Sequence, residues 1–267
     1  MPKGISLHIG LNSVDPRHYA GWSGPLAACE ADADDMEAIA KEKGFKATKL
    51  LTKDGTRDRI VGEITRAAKS LKAGDIFFLS YSGHGGQLPD RNRDEADRID
   101  ETWCLFDGQL VDDHLYDLYT KFAKGVRIFV LSDSCHSGSV ASLALREDPK
   151  TRGRAMPEEV ALRTYRANKA FYDPILADPT RRESRGKVQA SLLLISGCQD
   201  NQLSSDGDFN GLFTATLLSV WNNGAFKGDY PTLHRQILRR MPRVQTPNYF
   251  PLGIRSAEFE RQVPFTV

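Results

Sequence analysis

A chain of 267 residues with 40% hydrophobic and 9% aromatic side chains is long enough to bury one sizeable core, so disorder is not its expected state. Its 36 Lys and Arg against 35 Asp and Glu leave a formal charge of +1, which excludes a general pull toward nucleic acid or an anionic membrane. No run approaches the ~18–20 apolar residues of a membrane span, and the start MPKGISLHIG lacks a signal-peptide layout, so a cytoplasmic protein without a membrane partner is expected.

Short apolar runs alternate with amphipathic stretches, the pattern of a mostly parallel sheet covered on both faces. Ile5 to Leu11 reads as the first strand. Leu26, Cys29, Ala33, Met36 and Ala40 recur at helical spacing up to Gly44, a plausible helix stop. Phe45 to Leu51 is the second strand, and Thr56 is placed to cap a helix carrying Ile60, Ile64, Ala67 and Leu71. Ile76 to Tyr81 is the third strand. Asp112 or Asp113 then opens a helix with Leu115, Leu118, Tyr119 and Phe122, closed by Gly125, before a fourth strand from Val126 to Leu131.

From Val140 to Lys187 the pattern breaks, with prolines at 149, 157, 174 and 179 and 11 Lys or Arg against 7 Asp or Glu. This predicts a long, partly mobile connection. Order resumes with a strand at Leu192 to Ile195 and helices around Phe213 to Trp221 and Leu233 to Arg240. The second ordered stretch is too short for a sheet of its own, so one domain is expected: a large region 1–139, a basic connection 140–187 and a small region 188–267.

Two segments place a reactive side chain just after a parallel strand, where open α/β sheets put their sites. In Ser80-Tyr81-Ser82-Gly83-His84-Gly85-Gly86, glycines around the histidine leave N–H groups free, which suits a general base beside an oxyanion site. In Ser132-Asp133-Ser134-Cys135-His136-Ser137-Gly138, small and polar neighbours surround a cysteine. His84 and Cys135 together supply base and nucleophile on neighbouring strands. Taken singly, a cysteine after a strand is more often a small buried hydrophobe and a histidine in a glycine-rich turn a hydrogen-bonded loop residue; the pairing favours chemistry. His136 reads as structural, because adjacent side chains rarely converge. Cys29, Cys104 and Cys198 read as core packing, and with no C-x-x-C pair neither a zinc site nor a disulfide framework is expected. No G-x-S-x-G, H-E-x-x-H or P-loop is present.

The strings Y-S-G-H-G-G and D-S-C-H-S-G, with Leu26-x-x-Cys29-x-x-Asp32-Ala33-x-x-Met36 and Ile195 to Gln202 as I-S-G-C-Q-D-N-Q, resemble metacaspases and their prokaryotic caspase-like relatives. The spacing agrees: a caspase histidine lies about 50 residues before its cysteine. The resemblance implies a caspase-like three-layer α/β/α sandwich with a mostly parallel central sheet. It implies His84 as base, Cys135 as nucleophile, the N–H groups of Gly85 and Cys135 as oxyanion hole, and Asp32, Asp133 and nearby Ser82 lining the pocket for the residue before the scissile bond. Such a pocket selects a guanidinium or ammonium, giving cleavage after Arg or Lys rather than Asp. The run Asp32, Asp34, Asp35 also fits a solvated helix face, and Asp200 fits loop hydrogen bonding.

Ten acidic residues against three basic ones lie between Asp90 and Asp117, and the resemblance places calcium ligands at Asp100, Asp112 and Asp113. Ser142 stands where a further Asp is usual, so a solvated acidic loop is the alternative, and the chemistry itself requires no cofactor. The basic connection offers candidate self-cleavage sites at Arg146, Lys150, Arg152, Arg154, Arg163, Arg166, Arg181, Arg182 and Arg185. The expected protein is therefore an Arg/Lys-specific cysteine endopeptidase and zymogen, a monomer, with protein or peptide substrates and an activating protease as partners. A catalytically silent interaction module on the same fold is the competing reading, and a ligase using the same dyad is a third.

Overall fold

The computed structural model describes residues 1–91, 99–134, 152–178, 184–198, 205–207 and 209–267. Five strands run parallel: β1 (Gly4–Gly10), β2 (Lys46–Leu51), β3 (Ile76–Ser82), β7 (Arg127–Asp133) and β9 (Ser191–Ser196). An antiparallel edge strand, β11 (Asn248–Gly253), completes a sheet of order β11-β9-β7-β3-β1-β2. Because both faces are covered, β3 (IFFLSYS) is buried at every position, which is why it reads as a continuous apolar run.

Alternate residues of the strands feed two cores. Leu7, Ile9, Phe77, Leu79, Ile128 and Val130 meet α2 (Arg57–Ser70) and α3 (Asp112–Thr120) on one face. Phe78, Phe129, Leu131, Leu193 and Ile195 meet α1 (Cys29–Glu42) together with three later helices on the other. The expected three-layer sandwich and the strand and helix positions are therefore observed, with ends shifted by a few residues.

A second, antiparallel sheet of β4 (Gly85–Pro89), β5 (Ile99–Leu105) and β6 (Gly108–Val111) was not expected from the sequence. Beyond residues 135–151, a two-residue strand β8 (Arg152–Gly153) pairs antiparallel with β10 (Ser205–Asp206). The expectation of a partly mobile connection needs correction over its described length. Residues 158–176 form α4 (Glu158–Ala167) and α5 (Lys169–Leu176), and these pack on the second sheet. Met156, Val160 and Ala161 meet Val14, Tyr19 and Cys104, while Tyr172 and Leu176 meet Leu88 and Val111. The hydroxyl of Tyr172 bonds the His18 ring at 2.6 Å and accepts the N–H of Gln109 at 3.0 Å. A short α6 (Ser184–Lys187) leads to β9, followed by α7 (Leu212–Trp221), α8 (Tyr230–Arg240) and α9 (Ala257–Arg261). No helix among the described residues is long and apolar enough to cross a membrane.

Candidate active site

The strand order reverses between β1 and β3, since the chain passes from β1 outward to β2 and then returns to the other side of β1. Crevices at such a reversal, beyond the C-terminal ends of the strands, are where open sheets hold ligands. On β3 and β7, Ser82 and Asp133 are register partners at those ends. The segments leading to His84 and to Cys135 therefore depart side by side. Cys135 itself, with His136, Ser142 and Asp200, lies outside the described residues.

His84 is held from several sides. Its carbonyl accepts the N–H of Cys104 at 2.9 Å and the hydroxyl of Tyr81 at 2.7 Å, and the Tyr81 ring is stacked on Trp103. Its own ring lies against Trp22, with centroids 4.7 Å apart, and Nε2 is 3.0 Å from the Gly24 carbonyl. A carbonyl can only accept, so Nε2 carries the proton and Nδ1 is left as the basic nitrogen. Among the described residues Nδ1 is buried without a hydrogen-bond partner. Burial pushes the His84 pKa down to about 4, with the nearby Arg154 charge acting in the same direction. Gly24 permits this packing: its φ is +52°, and a Cβ there would fall 2.7 Å from Trp22 and 2.9 Å from His84 Cδ2.

Arg154, from the connection, is fully buried beside these residues. Its carbonyl oxygen accepts the Gly85 N–H at 2.9 Å, and two residues on the Met156 N–H donates to the Gly85 carbonyl at 2.8 Å. Its guanidinium enters a nest of carboxylates. Nη2 lies 2.8 Å from Asp32 Oδ2 and 3.0 Å from Asp206 Oδ1, and Nη1 lies 2.9 Å from Asp133 Oδ2 and 2.8 Å from Ser82 Oγ. Asp32, Ser82 and Asp133, expected from the sequence to share a pocket, are thus brought together around one guanidinium. Asp32 is buried while Asp34 is exposed and paired with Lys49, so the acidic run is not uniformly a solvated face.

Each carboxylate is oriented by further donors. Asp32 Oδ1 accepts the Gly211 N–H and the Asn210 side-chain amide, both at 3.0 Å, and Oδ2 accepts the Ser82 hydroxyl at 2.7 Å. Asp133 Oδ2 accepts the Thr214 hydroxyl at 2.9 Å. Asp206, which sequence reasoning missed, also accepts the Ala27 N–H at 2.7 Å and so ties β10 to the start of α1. No spacing signal marks Asp206, since it follows a stretch of small polar residues. Burial and the neighbouring Asp133 hold the Asp32 carboxyl above the usual carboxylate range, against the pull of Arg154. The buried carboxylates in turn hold the guanidinium charged. Removing the cation from such a nest leaves desolvated like charges together, a costly state.

Cys29, Cys104 and Cys198 are all buried. Burial pushes the Cys29 thiol up to about 12 and the Cys104 thiol higher still, so neither is a thiolate near neutral pH. Of the expected calcium ligands, Asp100 is a buried residue of β5, while Asp112 and Asp113 open α3. Burial, and then Glu101, Asp113 and Asp100, raise the Asp112 carboxyl well above its ordinary range. Among the described residues no group of three or more His, Cys, Asp or Glu is arranged to hold a metal ion.

Residues 13–263 match the model of the caspase domain, peptidase family C14. The chain belongs to the caspase-domain family of cysteine peptidases. It is 27% identical to metacaspase-1 of Mycosarcoma maydis over 91% of its length and 30% identical to metacaspase-2 of Trypanosoma brucei brucei over 75%. It spans 67% and 55% of those two proteins. Its structure resembles that of protein GSU0716 from Geobacter sulfurreducens, at TM-score 0.92 and 59% identity over 100% of this chain and 99% of that one. It shares its fold with caspase-1 of Spodoptera frugiperda, at TM-score 0.55 and 13% identity over 94% and 86% of the two chains.

Proposed function

We propose that this member of the caspase-domain family is an endopeptidase that cleaves after Arg or Lys and is made as a zymogen. The observation that carries the reading is Arg154: its side chain fills the acidic pocket while its carbonyl rests on the Gly85 N–H, the pose required of a residue before a scissile bond. The Cys135 thiolate attacks that carbonyl carbon, and the developing oxyanion is received by the N–H groups of Gly85 and Cys135. His84 Nδ1 takes the thiol proton and returns it to the departing amine. Water, deprotonated by the same nitrogen, then attacks the thioester and releases a carboxylate and the thiol. Asp32, Asp133 and Ser82 hold the substrate's cation.

Of the candidate self-cleavage sites, the Arg154–Ala155 bond is the one this pose supports, and cutting it would begin to free the pocket for substrates. Substrates are proteins or peptides with Arg or Lys before the cut, and an activating protease would serve where self-cleavage is slow. The reaction is drawn without a metal; among the described residues Asp100, Asp112 and Asp113 are not arranged as a ligand group, so no step is assigned to calcium.

The test is hydrolysis of matched fluorogenic peptides ending in Arg, Lys or Asp by the wild-type chain and by Cys135→Ala. Turnover after Arg and Lys that disappears in the variant supports the reading. Silence, also after removal of the plug by Arg154→Ala, together with no labelling by an Arg-ended thiol-reactive peptide, favours the interaction module.

A further inference from the structure

Gly211 has no backbone reason to be glycine. Its φ of −60° and ψ of 150° are open to every residue type, and it stands at the N-cap of α7, where Ser, Thr, Asp and Asn are the usual choices. What a side chain there would meet is Arg154. A Cβ built on Gly211 falls 2.5 Å from Cζ, 2.5 Å from Nη2 and 2.6 Å from Nη1, and these are its three nearest heavy atoms. Nearly equal distances to the central carbon and both terminal nitrogens set that Cβ over the face of the guanidinium. The Gly211 backbone is therefore a flat wall against which a planar cation lies, and its N–H is bonded to Asp32, so wall and carboxylate form one unit.

Around the edge of this slot the acceptors fall into two groups. One nitrogen, Nη1, meets Ser82 Oγ, Asp133 Oδ2 and, at 3.3 Å, the Asp133 carbonyl. The other, Nη2, meets Asp32 and Asp206. Nε is buried without a partner among the described residues, so recognition rests on the two terminal nitrogens. A guanidinium presents both in one fixed plane, whereas an ammonium presents a single tetrahedral nitrogen. Lysine would meet one group and leave the carboxylates of the other without a cationic partner, held only by neutral donors such as the Ser82 and Thr214 hydroxyls and the Ala28 N–H.

We propose that the pocket selects Arg over Lys, and that Gly211 is a specificity-determining residue because it leaves room for a flat cation. The proposal rests on the reading of this pocket as the substrate's, and it separates two side chains that the acidic character of the pocket does not.

The experiment uses full-length chain carrying Cys135→Ala and Arg154→Ala, so that the pocket is vacated and nothing is cleaved. Calorimetry measures its binding of two otherwise identical tetrapeptides ending in Arg or Lys. The expected result is an Arg preference of about tenfold or more. In the same background Gly211→Ala is expected to weaken the Arg peptide by about tenfold or more and the Lys peptide less, with an unchanged melting temperature. Lys binding as tight as Arg, binding of neither peptide, or a ratio unmoved by Gly211→Ala overturns the proposal. Should that variant fail to fold, the Arg-to-Lys ratio of the parent decides, with anything under about fivefold counting against. Arg selectivity in binding, with no hydrolysis by chain that keeps Cys135, would leave the slot standing and sink the peptidase reading alone.

Discussion

The Gly85 N–H donates to the carbonyl oxygen of Arg154 at 2.9 Å, while the guanidinium of the same residue bridges three carboxylates. On the proposed reading, one residue makes both the polarising contact and the specificity contact of the site. If Arg154–Ala155 is the bond cut, intact-mass analysis of purified chain on incubation will show a fragment beginning at Ala155. Cys135→Ala and Arg154→Ala are each expected to suppress that fragment, and cleavage at another basic residue in its place would refute the assignment.

Asp206 supplies the third carboxylate and also anchors the start of α1 through Ala27. Asp206→Asn keeps an oxygen for the Ala27 N–H while removing a charge from the cation's surroundings. The expected effect is a fall of about tenfold or more in kcat/KM for Arg peptides, mostly in KM. A change confined to kcat would mean that Asp206 does not touch the substrate.

Gly24 allows Trp22 and the carbonyl partner of His84 to close on the imidazole. Gly24→Ala imposes a positive φ on a residue with a Cβ and drives that Cβ into both rings. A stability loss of about 1–3 kcal/mol is expected, with kcat falling more than KM rises. Unfolding in urea and steady-state kinetics on the same preparation measure both.

Two buried histidines make the fold acid-sensitive. Burial lowers His84 to about 4 and His8 to about 3, and the latter bonds Ser80 through Nδ1. An unfolded histidine titrates near 6.5, so between that value and the folded one the unfolded chain binds more protons. Each contribution is full above pH 6.5 and is lost as the pH falls toward the folded value, about 4 for His84 and about 3 for His8, on the order of 3–5 kcal/mol per group. Melting temperatures between pH 7 and 4 are expected to drop steeply, and His8→Asn to flatten that slope. The acidic limb of catalysis is expected near pH 4, where His84 becomes protonated, and a limb at 6.5 would show that burial does not control the base.

Calcium is tested by peptide turnover with added calcium and with chelator. Equal rates are expected, because the reaction as drawn uses no cation; a rate that falls with chelator and is restored by calcium, and that Asp112→Asn no longer shows, would place the cation at the start of α3.

The parallel strands were legible because burial on both faces writes them as continuous apolar runs, Ile76 to Leu79 being the clearest. His84 was legible through its place after such a strand, and Asp32, Ser82 and Asp133 through the motifs around them. The second sheet was not, since Gly85-Gly86-Gln87-Leu88-Pro89 and the acidic start of β5 carry no sustained alternation. Nor were α4 and α5. Pro157 looks like a break but occupies the N-cap of α4, where no intrahelical N–H is needed, and Pro174 lies within α5, which tertiary contacts around Tyr172 hold in place. Asp206 and Gly211 had no local signature, because their roles arise only when Arg154 is brought to them from more than fifty residues away.

The docking of Met156, Val160, Tyr172 and Leu176 on the body of the protein fixes what a cut before Ala155 would look like. The piece downstream of the cut carries its own apolar anchors, so the two halves would travel together through a sizing column and part only in denaturant. Processing would be seen as two bands on a denaturing gel and a single particle in solution. The new amino group would remain tethered near the histidine, leaving the arginine side of the break as the one able to withdraw.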